Sequence, residues 1–200
     1  MAAFDFYFST LSPFTYLAGT RPWEIAARCG AAVNCKPLDI MALFPRTGGT
    51  PLGERHPSRQ EYRLIELERQ AAKLNMPINL KPAHWPANAA PSSYAIIAAQ
   101  KAGGGDMGQL VHAILRACWA EEKSIAEDAV IRACLDGAGF DPALADSGLL
   151  AGAESYAQNL EDAVKAGVFG APFWVTADGA RFWGQDRLPD LEAHLAGQAG

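Results

Sequence analysis

Residues 4–18 read FDFYFSTLSPFTYLA. Phe4, Phe6 and Phe8 alternate with Asp5 and Tyr7, the period of a β-strand with apolar residues on both faces, so this strand is expected to be buried on both sides. It breaks at Leu11-Ser12-Pro13. Pro13 suits the first turn of a helix, where its missing N–H costs nothing. Ser12, at the break, sets a hydroxyl beside the free N–H groups of a helix start, a place that attracts anions. A plain N-cap serine carries the same signature.

Working outward, Tyr16, Leu17, Trp23, Ile25 and Ala26 supply a helical apolar face, with a kink expected at Pro22 and a stop at Gly30. Val33 to Ile40 reads as a second strand. The opening is a βαβ unit, and a right-handed crossover makes its strands parallel. At the far end, Gly167 to Pro172 reads as a short loop feeding a strand over Phe173–Thr176. Pro172 is a candidate cis-proline, since X-Pro bonds are where cis peptides occur; an ordinary loop proline is the alternative. Asp178-Gly179 is a hairpin turn, Arg181–Trp183 the returning strand and Leu188–Leu195 a closing helix. In between, Arg46 to Pro57 is rich in Gly and Pro and reads as a loop. Ser58, with Glu61 in the capping-box position, is expected to start a helix that ends near Leu74. Ile78 to Pro91 is irregular. Helical stretches follow at Ser92–Ala102, Met107–Ala120, Glu127–Ala138 and Ser147–Lys165. The order is βαβ, a helical block, then ββα.

The chain has 200 residues, half of them hydrophobic (50%) and a fifth charged (20%), the profile of a globular protein with a sizeable core. A net charge of −5 and a pI near 5.3 argue against nucleic acid and anionic membrane as partners, and leave room for a local basic patch that holds a small anion. Cys29, Cys35, Cys118 and Cys134 form no CxxC pair and lack metal-type spacing, so reduced, buried thiols are expected. The four histidines also lack ligand spacing, and no metal is expected. The N-terminus has no basic leader region, and no apolar run approaches the ~20 residues that span a bilayer. A cytoplasmic protein is the simplest account.

The segments LSPFTYLA (11–18), GVFGAPFW (167–174) and FWGQDRLPDLEAHL (182–195) resemble the 2-hydroxychromene-2-carboxylate isomerases, within the wider group of kappa-class glutathione transferases and disulfide-oxidoreductase A-like proteins. The resemblance implies an α/β, thioredoxin-like fold with an inserted all-helical domain: residues 1–57 and 160–200 form the discontinuous core, and 58–159 the insertion. It implies glutathione as cofactor, a homodimer, and cis–trans isomerisation of a bicyclic aromatic hydroxy-acid to an open-chain benzylidenepyruvate, as in naphthalene-type catabolism.

The resemblance also implies roles. Serine stands at residue 12 where redox members carry cysteine. Ser12 would activate the bound thiol, whose ordinary pKa of ~8.5 leaves little thiolate at neutral pH. Ala171, before Pro172, would pair in strand fashion with the cysteinyl backbone of glutathione. Asp186 would take the α-ammonium, and Gln185 with nearby N–H groups the α-carboxylate; a helix cap is the other role open to Asp186. Arg59 stands where the family has a lysine that reaches the glycyl carboxylate, although a solvated charge fits it as well. Gly49 falls where kappa-class members carry asparagine, a departure in the same loop. Trp85 and Asn88, in His84–Asn88, match a segment that walls the substrate site; a buried anchor and a turn cap are their alternatives. Phe14 belongs to the same site, yet its ring, like those of Trp174 and Trp183, also suits the core. Two rival functions share this site: a kappa-like transferase, and a thioredoxin-like module that binds glutathione without turnover. A dithiol oxidoreductase is disfavoured because Ser12 leaves no reactive cysteine at the helix start.

Overall fold

The computed structural model describes residues 2–197. Strand β1 (Ala2–Phe8) is central in a four-stranded sheet of order β2-β1-β3-β4, where β2 is Ala31–Pro37, β3 Phe173–Thr176 and β4 Arg181–Trp183. It runs parallel to β2 and antiparallel to β3, and β3 pairs antiparallel with β4. The expected mixed α/β, thioredoxin-like order is observed.

Alternation along β1 sorts the core into two layers. Phe4, Phe6 and Phe8 point to one face, where Phe6 stacks on its cross-strand partner Trp174 at 5.6 Å. Tyr7 points to the other, with Phe173, Leu38, Leu43, Ala163 and Val168. The first layer continues without a break into the helical block through Leu67, Ile96, Leu110, Ile114 and Trp119. That block comprises α4 (Pro57–Leu74), α5 (Ala90–Ala102), α6 (Met107–Trp119), α7 (Asp128–Gly137), α8 (Leu144–Ser147) and α9 (Leu149–Lys165). The boundary expected at residue 160 falls inside α9. Helices α5 and α9 approach closely because Gly148 and Gly152 lie against Ala98 and Tyr94, with no space for a Cβ.

Several local expectations need correction. The first helix is two: α1 (Pro13–Ala18) and α2 (Arg21–Cys29). Gly19 turns the chain between them at φ 60°, so Pro22 begins a helix and kinks none. Strand β2 stops at Pro37, and Ile40–Thr47 is a helix, α3, in place of a strand end and loop. The deciding residue is Asp39, whose carboxylate accepts from Met41 N–H and Ala42 N–H. Helix α4 begins two residues early: His56 Nδ1 takes the Ser58 N–H, and Pro57 fills the first position. The closing helix, α10, is Leu188–Gly197. Among the described residues no helix is long and apolar enough to cross a membrane.

Candidate active site

Ser12 caps α1 from an extended backbone (φ −89°, ψ 118°). Its Oγ accepts Thr15 N–H at 3.2 Å and donates to Ala171 O at 3.3 Å. Residues 12 and 171 are thus joined directly across 159 positions of sequence. The Ala171–Pro172 bond is cis. Gly184 N–H donates to Pro172 O at 3.0 Å, which brings the short 3₁₀ turn Gln185–Arg187 to the same corner.

The loop that carries Ser12 is held from below. Ser12 N–H donates to Ser9 O, Leu11 N–H to Ser9 Oγ, and the buried Thr10 hydroxyl meets Ser92 Oγ at 3.1 Å. Trp85 reaches it from the helical block, its Nε1–H donating to Leu11 O at 3.0 Å. The Trp85–Pro86 bond is cis as well, which nothing in the sequence reading singled out. Trp85 is therefore a half-buried anchor for the loop that carries Ser12. Asn88 is exposed, and its Oδ1 accepts Ala90 N–H, a turn role. Phe14 is half-buried against the core.

The 185–187 turn divides its labour. Gln185 is 3% exposed. Its Oε1 accepts from Arg21 and its Nε2 donates to Gln70 Oε1 at 3.1 Å. Arg21 also donates to Leu17 O and Ala18 O, the open carbonyls at the end of α1. The Gln185 amide is thus a structural tie between α2, α4 and the turn. Asp186 is exposed, caps no helix, and meets Arg187 at 3.1 Å. Arg59 is exposed near the start of α4.

Trp183 reads from sequence as a core ring, and Phe169 and Arg63 are not singled out there. Trp183, expected in the core, is 54% exposed, and Phe169 is 42% exposed. Their rings meet edge-on at 4.9 Å beside the cis-proline loop. Gly170 permits this, since a Cβ there would lie 2.5 Å from the Trp183 indole nitrogen. Alternation does place Trp183 on a buried face, paired with Phe173, but β4 is the sheet edge. The third residue, Arg63, lies over the Trp85 ring at 5.8 Å.

The short α1 changes the electrostatic argument. Six residues carry a small macrodipole, so an anion at Ser12 depends chiefly on the hydroxyl and on the Phe14 N–H, which has no intrahelical partner. Cys35, Cys118 and Cys134 are not activated thiols. Burial raises Cys35, and burial with Glu122 nearby raises Cys118 to about 12. Burial raises Cys134 to about 11. An open cavity of about 400 Å³ between α6 and α7, lined by His112, Arg116 and Cys134 among others, contains none of the expected site residues.

A serine cap bonded to the residue before a cis-proline, in a β2-β1-β3-β4 sheet, sets the frame for comparison. The DsbA-like thioredoxin domain matches residues 3–196. A 2-hydroxychromene-2-carboxylate isomerase from Sphingobium xenophagum is 31% identical over 194 residues, 96% of each chain. The chain belongs to the 2-hydroxychromene-2-carboxylate isomerase branch of the DsbA-like thioredoxin family. A solved 2-hydroxychromene-2-carboxylate isomerase superposes with a TM-score of 0.78 at 24% identity, over 98% of this chain and 95% of that one. The cytosolic disulfide reductase DsbM from Pseudomonas aeruginosa, solved with GSH, gives 0.72 at 19% identity, over 98% of both chains. At these identities the two structures speak for the fold. Within this family fold, Ser12, Ala171 and Pro172 meet at one point and the Asp186 turn adjoins them, while Arg59 and Asn88 are exposed.

Proposed function

We propose that this chain is a glutathione-dependent isomerase that interconverts 2-hydroxychromene-2-carboxylate and trans-o-hydroxybenzylidenepyruvate, or a closely related aromatic acid, and that it works as a cytoplasmic homodimer. The observation that carries the proposal is the Ser12 hydroxyl held 3.3 Å from Ala171 O beside a cis-proline. The activity named for the Sphingobium relative and the GSH in the DsbM structure support it.

The residues present fit a thiol tripeptide. Ser12 offers a hydroxyl that can turn from Ala171 O towards a sulfur anion, Ala171 offers a backbone acceptor, and Asp186 offers an exposed carboxylate for an ammonium group. The Gln185 side chain does not join them, because its amide is already spent on Arg21 and Gln70.

Glutathione bound here supplies a thiolate that adds to a conjugated carbon and leaves again, so that the former double bond can turn as a single bond. Ser12 lowers the cost of the anion by donating to it. Ala171 and Pro172 fix its approach, and Trp85, Phe169 and Trp183 give a flat substrate aromatic surface while limiting water. No atom of the protein is consumed in the cycle.

The test is isomerisation of 2-hydroxychromene-2-carboxylate with and without glutathione, with total glutathione followed over many turnovers. Turnover that requires glutathione and leaves its concentration constant is expected. Steady glutathione loss to a conjugate would establish a transferase, and glutathione binding without turnover would establish a binding module.

A further inference from the structure

Arg55, Arg59 and Arg63 are spaced four residues apart, from the turn before α4 through its second turn. Among the described residues, none of the three has a carboxylate partner. In a chain of net charge −5, Arg28, Arg46, Arg69, Arg116, Arg132 and Arg187 each pair with an acid, whereas this run of three does not. Arg55 is tethered, donating to Thr50 O at 2.8 Å with its guanidinium over the Phe44 ring. Arg59 is exposed. Arg63 is half-buried, with its guanidinium over the Trp85 indole. Burial, and then the Arg55 charge, push the Arg63 pKa down to about 10. A partly desolvated cation with no counter-charge is a standing cost, and an aromatic face offsets part of it only. The same indole donates to Leu11 O, next to Ser12. The unpaired cation therefore adjoins the nucleophile corner through one aromatic plate.

We propose that Arg63, carried on the Trp85 indole, receives the carboxylate of the substrate, so that this arginine selects aromatic acids over neutral aromatics. The inference rests on the functional reading above and adds the specificity residue to it. A guanidinium binds a carboxylate by two parallel bonds, which fixes orientation as well as charge. Arg55 and Arg59 add positive potential around it and steer anions inward.

The test uses the whole protein without glutathione. Calorimetric titrations compare trans-cinnamate with cinnamamide, which share the aromatic body and differ in the charge. Wild-type protein is expected to prefer the acid by about 10- to 100-fold, the equivalent of one charge-assisted bidentate contact. Arg63→Met keeps an unbranched stem over Trp85 and removes the charge; the preference should vanish while the melting temperature stays equal or rises. Arg63→Lys keeps a point charge without the fork and should retain a reduced preference. Equal binding of acid and amide by wild-type protein overturns the inference, as does a full preference in either variant. A fall in glutathione affinity in Arg63→Met with the cinnamate preference intact also overturns it, by assigning the arginine to the tripeptide. The two readings separate cleanly: wild-type protein that discriminates cinnamate yet fails to bind glutathione sinks the isomerase mechanism and leaves Arg63 standing.

Discussion

Replacing Ser12 by alanine removes one oxygen that has two tasks. The first is structural: Oγ accepts Thr15 N–H at 3.2 Å, and losing such a cap costs ~1 kcal/mol, or about 2–4 °C in Tm for a domain of this size. The second is chemical. A hydroxyl donated to a sulfur anion is a charge-assisted bond of about 1.5–3 kcal/mol, equivalent to about 1–2 pKa units on the bound thiol. Donation stabilises the charged form and lowers the thiol pKa, so its loss raises that pKa and should lower kcat/KM by about 10- to 100-fold. Ser12→Gly separates the tasks, because glycine serves as an N-cap at a cost of only a few tenths of a kcal/mol and has no hydroxyl. The two variants should share the loss of activity and differ in Tm. Ultraviolet absorbance of the bound thiolate, titrated against pH in all three proteins, measures the shift directly. An unchanged thiol pKa in both variants, or activity that follows Tm, refutes the reasoning.

Other consequences are equally direct. Asp186→Ala should weaken glutathione binding by calorimetry about 10-fold, the equivalent of one charged contact, with single-turnover chemistry at saturating glutathione unchanged. Thr15 Oγ1 is buried without a partner, so Thr15→Val should be neutral or stabilise by about 1 kcal/mol in urea unfolding. Asp162 is held below the usual carboxylate range chiefly by its bond to Lys36 and then by Gln158. Its folded pKa is depressed, so its contribution is full above about pH 5 and fades as pH falls below about 4. Asp162→Asn should therefore lose a few tenths to ~1 kcal/mol at neutral pH and show a flatter acid limb in thermal melts.

Much of this architecture was legible because its signals are local. The alternation of Phe4 to Phe8, the Ser12-Pro13 start and the Asp178-Gly179 turn each act within a few residues, and β3 and β4 fall at Phe173–Thr176 and Arg181–Trp183 as read. Helix α3 was not legible: its apolar run also suits a strand, Pro45 and Gly48-Gly49 suggest a loop, and the Asp39 cap that settles it is one residue. At the site, the Ser12–Ala171 meeting follows from the two end motifs. The roles of Gln185 and Arg63 do not, because Arg21, Gln70 and Trp85 reach them from elsewhere in the chain. Trp183 misled for a related reason, since a strand's alternation names a face and says nothing about whether a helix covers it.

The exchange of serine for a redox cysteine at residue 12 alters what the corner can do with sulfur. A hydroxyl forms no disulfide and can serve sulfur only as a donor. Cys35, Cys118 and Cys134 are held protonated by burial. In the proposed reading, the thiolate that works here comes from outside the chain. The resting bond from Ser12 Oγ to Ala171 O prepares for that arrival, because its two ends are the groups an extended thiol peptide requires: an O–H for the sulfur and a carbonyl for a backbone N–H. Exchanging one protein hydrogen bond for two to a ligand leaves neither end unsatisfied, which matters most at a half-buried site where an unmade bond costs about 1–3 kcal/mol. In the proposed reading, Arg63 treats the substrate in the same way. It holds a charge without a partner in the free protein, and a carboxylate completes it on binding.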